Sequence, residues 1–99
     1  MNEKMKSMHF DELFRAILSL KTEDEVCAFF EDICTVNEMK AMLQRLQVAE
    51  LLDKGEQYSK IVAETGASTA TISRVNRCLL YGSDGYHIVL ERMKQKGEQ

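Results

Sequence analysis

Phe10, Leu13, Phe14, Ile17 and Leu18 recur at the i, i+3, i+4, i+7 and i+8 spacing that places all five on one stripe of a helix. A first helix from about Asp11 to Leu20 is predicted. Thr22 to Glu25 reads T-E-D-E, a capping box in which a hydroxyl and a carboxylate each satisfy a free backbone N–H at a helix start. The helix it opens turns Val26, Phe29, Phe30 and Ile33 inward. The same device returns at Thr35 to Glu38, T-V-N-E, ahead of the longest periodic run, with Met39, Met42, Leu43, Leu46, Leu51 and Leu52 among its apolar positions. Gly55 is placed to end that run in the left-handed cap conformation. Shorter helices follow at about Tyr58 to Thr65 and from Ser68 or Thr69 to about Tyr81. A last helix follows the Gly82-Ser83-Asp84-Gly85 turn, and the polar tail from Met93 to Gln99 is expected to fray.

The pattern is thus all-α, about six helices in one domain spanning residues 1–99. The length leaves room for one core and no separate catalytic domain. Helices one to three each carry a full apolar stripe, more than so short a chain can cover, so part of that surface is expected to meet a second copy in a homodimer.

Composition agrees with helix: Pro is absent, and Leu, Met, Ala, Glu, Lys and Gln are common. No stretch approaches the ~18 apolar residues of a membrane span, and MNEKMKSMHF lacks the apolar segment of a signal peptide. The expected location is the cytoplasm, with no membrane partner. Cys27, Cys34 and Cys78 form neither a CxxC pair nor an even set. They read as reduced thiols and small core residues, not as metal ligands, because His9 and His87 stand at no ligand spacing to them.

The net charge of −3 is unevenly spread. Residues 1–38 hold nine acids against four bases. Residues 39–81 hold four acids, Glu50, Asp53, Glu56 and Glu64, against six bases, Lys40, Arg45, Lys54, Lys60, Arg74 and Arg77. A local basic excess can neutralise phosphates even on an acidic chain.

That excess coincides with the most informative segment. Ile61 to Val75 reads as a short helix, a tight turn and a second helix, and the whole helix-turn-helix spans about residues 58–80. Ile61 and Thr65 face the partner helix, Gly66 supplies a positive φ, Ser68 caps the second helix, and Ile72 and Val75 anchor it. Thr69, Ala70, Thr71, Ser73 and Arg74 remain exposed at its start. Small side chains let a helix sit deep in a major groove, a helix N-terminus favours phosphate, and Arg can bridge guanine O6 and N7. Lys60 and Arg77 are placed to touch the phosphate backbone and set register. The plainer account is a capped helix with a Ser- and Thr-rich surface, but Glu and Lys serve a solvated helix face better.

With Gly55 closing a long helix and G-A-S-T-A-T-I-S-R following at Gly66 to Arg74, the chain resembles the tryptophan repressor family, most closely its YerC/YecD-type branch. The similarity is most specific from Thr35 to about Cys78. It implies an intertwined all-helical dimer whose two heads enter successive major grooves of a roughly palindromic operator, ~34 Å apart. In tryptophan-responsive members, two arginines flank the indole and two threonines line the pocket; those positions match Arg45, Arg74, Thr35 and Thr71. Val75 replaces a glycine beside the ligand, Cys78 replaces a serine, and Asp32 and Cys34 stand where the family has leucines. A β-branched side chain fills such a space and an acid adds an unpaired charge. No resident cofactor is therefore expected, and tryptophan or another small amino acid is the corepressor to test. The segment from Gly55 to Gly66 is also one residue shorter than in the tryptophan repressor.

The expected function is that of a sequence-specific DNA-binding transcriptional regulator, a repressor. The alternative is a protein-interaction module that uses the acidic N-terminal helices and keeps the helix-turn-helix as scaffold. An enzyme is not expected: the acids at Asp11 and Glu12, Glu23 to Glu25, and Glu31 and Asp32 fall on solvent faces or helix starts, with no nucleophile and base paired nearby. Arg45 also has a plainer role open to it, an ion pair with Glu50 or Glu38.

Overall fold

The computed structural model describes residues 2–97, and its regular structure among them is entirely helical. Seven helices run in the order α1 (Glu3–Ser7), α2 (Phe10–Leu18), α3 (Glu23–Ile33), α4 (Val36–Asp53), α5 (Tyr58–Thr65), α6 (Thr69–Tyr81) and α7 (Gly85–Gln95). The six expected helices are α2 to α7. The count of six is corrected by α1, a single short turn capped by Asn2, whose Oδ1 accepts the Met5 N–H at 2.8 Å. Five residues are too few to show a periodic stripe, so apolar spacing had nothing to register. At the other end α7 reaches Gln95, and the last two positions of the expected fraying tail, Glu98 and Gln99, lie outside the described residues.

The chain divides into two units, one ending at Met39 and the other beginning at Lys40. In the first, α1 packs on α2. His9 joins them in a left-handed conformation, φ 61°, that histidine tolerates better than most residues. On α2 the Phe10 and Phe14 rings stack with centroids 6.4 Å apart. The Thr22 hydroxyl accepts the Glu25 N–H at 3.1 Å, and the Glu25 carboxylate accepts the N–H of Lys21 at 2.8 Å. That box reaches one residue further back than the pattern predicts. At Thr35 it closes on itself: the hydroxyl accepts the Glu38 N–H at 3.1 Å and the Glu38 carboxylate accepts the Thr35 N–H at 2.8 Å. None of the residues in α1, α2 or α3 is buried.

The second unit holds the core. Val48 and Ala49 of α4, Ile61 of α5, Ala67 of the turn, Ile72 and Val75 of α6, and Leu90 of α7 are buried together, with Leu46, Leu51, Leu52 and Tyr86 packed around them. Helix α4 ends as Gly55 foretells. The Glu56 N–H reaches back to the Leu51 carbonyl and the Gly55 N–H to the Leu52 carbonyl, both at 3.0 Å, while Gly55 takes φ 83°. An ion pair of 2.8 Å between Lys94 and Asp53 ties α7 to the end of α4.

The cysteines are a correction. Cys27 and Cys78 are exposed and Cys34 half-buried, so none is a core residue. Cys27 and Cys78 sit on faces that this chain leaves open, and size and polarity alone do not tell such a face from a buried one. Cys27 donates its Sγ–H to Glu31 at 2.9 Å, and that bond, with the neighbouring acidic charge, pushes the thiol above its ordinary value. The thiol so held is a poor nucleophile at neutral pH.

Candidate nucleic-acid interface

The local sequence of residues 58–81 fixes how α6 is presented. Apolar Ile61, Ile72 and Val75 are fully covered in the core, which orients the opposite face of α6 outward. Gly66 closes α5 with φ 72° and an N–H bonded to the Val62 carbonyl at 2.9 Å. The Thr65 hydroxyl donates to the Ile61 carbonyl at 2.7 Å and accepts the Ala67 N–H at 3.1 Å, which knots the turn. From α4, the Gln44 amide donates to the Thr65 carbonyl at 3.2 Å.

Ser68 caps α6 as expected, its hydroxyl accepting the Thr71 N–H at 3.1 Å. The same hydroxyl donates to the Thr71 hydroxyl at 3.0 Å. Both groups are therefore engaged in holding the helix start. Thr69, Ala70, Ser73, Arg74 and Arg77 stand exposed on α6, and Cys78, Leu80 and Tyr81 are exposed toward its C-terminal end. Ala70, Arg74 and Arg77 follow one another at i, i+4 and i+7, so both guanidiniums and the small side chains share one side of the helix. Neither arginine takes part in an ion pair among the described residues.

Lys60 is different. Its ammonium lies 3.3 Å from the Glu56 carboxylate and 3.9 Å from that of Glu64, one turn away on either side. A phosphate at this point would have to compete with two acids, which spacing to the turn did not reveal.

The positions matched to a corepressor pocket can each be placed. Thr35 is exposed, with its hydroxyl given to the α4 cap. Arg45 is half-buried on α4 and in no ion pair among the described residues. Thr71 is half-buried and Arg74 exposed, both on α6. Val75 is 1% exposed and part of the core. Cys78 instead lines an apolar cleft of about 590 Å³ between α4, α6 and α7, with Leu46, Gly82, Ser83, Gly85, Tyr86 and Val89.

The family model described as Trp repressor protein matches residues 8–94. The chain belongs to this family. The Trp repressor match runs through both units and includes α2 to α6 and all of α7 but its last residue. The uncharacterized protein YerC of Bacillus subtilis (strain 168) is 53% identical over 93 residues, which cover 94% of this chain and 89% of YerC. A TrpR-like protein from Eubacterium eligens ATCC 27750 superposes with a TM-score of 0.89 at 54% identity, covering 94% of this chain and 96% of that one. A candidate Trp repressor from Staphylococcus aureus gives a TM-score of 0.86 at 47% identity with the same coverage. The all-α fold is therefore that of TrpR-like proteins. Among the described residues no helix is long and apolar enough to cross a membrane.

Proposed function

We propose that this chain is a sequence-specific DNA-binding transcriptional regulator, a repressor that reads a palindromic operator as a homodimer. One observation carries the reading: α6 is seated in the core through Ile72 and Val75, yet presents Thr69, Ala70, Ser73, Arg74 and Arg77 outward from a capped N-terminus. Small side chains beside two guanidiniums that form no ion pair among the described residues suit entry into a major groove, where Arg74 reads a base edge and Arg77 a phosphate. Ser68 and Thr71 contribute by shaping the helix start, and Lys60 reaches phosphate only by leaving its two carboxylates. Membership of the Trp repressor family supports regulation over catalysis.

Dimer formation is supported by the open apolar positions. Leu18, Ile33, Val36 and Tyr81 are more than half exposed in the single chain, a surface that burial at ~25 cal/mol per Å² favours covering. A family match spanning both units supports treating residues 1–99 as one functional domain. For a small amino-acid corepressor, Arg45, Arg74, Thr35 and Thr71 remain the residues to examine, while buried Val75 weighs against tryptophan itself.

The test is selection from a pool of randomised duplex DNA at low and moderate salt, with and without tryptophan. Enrichment of a palindromic site, with affinity falling steeply as salt rises, is the expected outcome. No enrichment in any condition would turn the reading toward a protein-interaction module using the acidic N-terminal helices.

A further inference from the structure

The turn that aims α6 is held from outside the helix-turn-helix. Among the described residues, every polar link of Thr65, Gly66, Ala67 and Ser68 lies within α5, the turn and α6 except one. That one is the bond from Gln44 Nε2 to the Thr65 carbonyl oxygen, 3.2 Å across 21 positions of chain, with both groups partly buried. Gln44 precedes Val48 by one helical turn, and Val48 is fully covered in the core. The amide therefore stands at the end of the α4 face that packs on the motif.

Apolar contact through Val48, Ala49, Ile61 and Ile72 is non-directional, so it holds α5 and α6 to α4 without strongly fixing a small slide or rotation. A hydrogen bond has a preferred direction and length, and this one acts on the residue immediately before the turn. Thr69 to Arg74 begin four residues later, so a small shift at Thr65 moves them all. Base-edge contacts need placement to within ~0.5 Å, whereas flexible Lys and Arg reaching phosphates tolerate more.

We propose that Gln44 is a positioning residue for DNA reading: its amide locks the Thr65 carbonyl, fixes the turn, and thereby sets how well α6 distinguishes one DNA site from another. The inference rests on the DNA-binding reading above. It assigns a specificity role to a residue of the long helix, outside the helix-turn-helix itself.

The test uses the full chain and a duplex first selected by the wild type. Gln44→Met keeps length and removes the donor; its affinity for the selected duplex should fall about tenfold while its affinity for random duplex stays within about twofold and keeps its salt slope. Gln44→Lys, which keeps an N–H donor on a stem long enough to reach, should retain discrimination. If Gln44→Met does not fold, Gln44→Asn, whose donor is drawn back by one methylene, is read in its place. Equal losses on both duplexes, or none on either, would overturn the proposal. Amide hydrogen exchange separates this from failure of the DNA reading: protection of the Gly66 and Ala67 N–H groups should drop in Gln44→Met whether or not any DNA site is found. Unchanged protection would overturn the lock itself, while a wild type that selects no site would count against DNA binding alone.

Discussion

The two units of this chain are built from similar amphipathic helices and end in opposite states. From Lys40 onward, α4 to α7 bury Val48, Ala49, Ile61, Ala67, Ile72, Val75 and Leu90 against one another. Up to Met39, no residue of α1 to α3 is fully buried and Phe10, Leu13, Ile17, Phe29 and Phe30 are only half-buried, although α2 carries an apolar stripe as regular as any in the chain. Periodicity therefore records that a face is meant to be covered and is silent on what covers it. The second unit's faces are partly covered within residues 40–97, with Leu43, Leu80 and Tyr81 left more than half exposed. Those of the first remain open in a single chain, which is why a second copy enters the functional proposal.

The largest expected effect sharpens this contrast. Ile72→Ala removes a fully covered side chain and should cost about 2–5 kcal/mol of stability, as large-to-small core changes do. Leu18, 82% exposed in the single chain, should cost less than ~0.5 kcal/mol as Leu18→Ala at high dilution. If a second copy covers that stripe, the Leu18→Ala penalty will grow with protein concentration and the melting temperature of the wild type will rise with it. Concentration-independent melting of both proteins would break the dimer proposal, and a Leu18→Ala loss as large as that of Ile72→Ala at high dilution would break the contrast.

Next in size is a change on the outward face of the second unit. Arg74→Ala should weaken binding to a selected operator by about 1–3 kcal/mol and relax preference at one base position. Its melting temperature should not move, because the guanidinium is exposed and unpaired among the described residues. A variant that unfolds would instead make Arg74 structural. Lys60→Ala is the natural comparison, since its ammonium already has Glu56 and Glu64 beside it and should contribute less to the salt slope than a free cation does.

What was legible in the sequence divides along the same lines. Helices α2 to α7 were readable because capping boxes at Thr22 and Thr35, glycines at 55 and 66, and a cap at Ser68 are local signals, complete within a few residues. The anchoring of the helix-turn-helix by Ile61, Ile72 and Val75 was readable from spacing alone. Less was visible where a partner lies far along the chain. Gln44 has no apolar signature, and its bond to Thr65 depends on how α4 crosses α5. The Lys94–Asp53 pair joins residues 41 positions apart. Nor did composition reveal that Cys27 and Cys78 stand on open faces. Within the candidate interface, Thr69, Ala70, Ser73, Arg74 and Arg77 were named from the sequence, whereas the exposure of Cys78, Leu80 and Tyr81, the engagement of the Ser68 and Thr71 hydroxyls with each other, and that of Lys60 with its acids needed side-chain geometry.

The smallest effect separates the two units by pH. In the first, the Thr35 backbone N–H and then its hydroxyl hold the Glu38 carboxyl below the ordinary glutamate range, against a weaker opposing effect of desolvation. A carboxyl lowered on folding adds stability above its unfolded value, and the gain is lost as pH falls through the folded value. In the second, the hydrogen bond to Asp53, then the charge of Asp53 and that of Glu91, raise the Lys94 ammonium above its ordinary value. An amine raised on folding adds stability below its unfolded value, and the gain is lost as pH rises through the folded value. Both groups are solvent-exposed, so the effects are small and salt will reduce them. Melting temperatures of the wild type, Glu38→Ala and Lys94→Met across pH supply the check. The gap between wild type and Glu38→Ala should close on the acid side, as protonation removes the carboxylate from its cap. The gap to Lys94→Met should close on the alkaline side, as the ammonium loses its proton. A Glu38→Ala gap that persists into acid would mean the capping box acts through packing and not through the charged carboxylate. A Lys94→Met gap that persists in alkali would mean the lysine stem, lying along α7, matters more than the ion pair with Asp53.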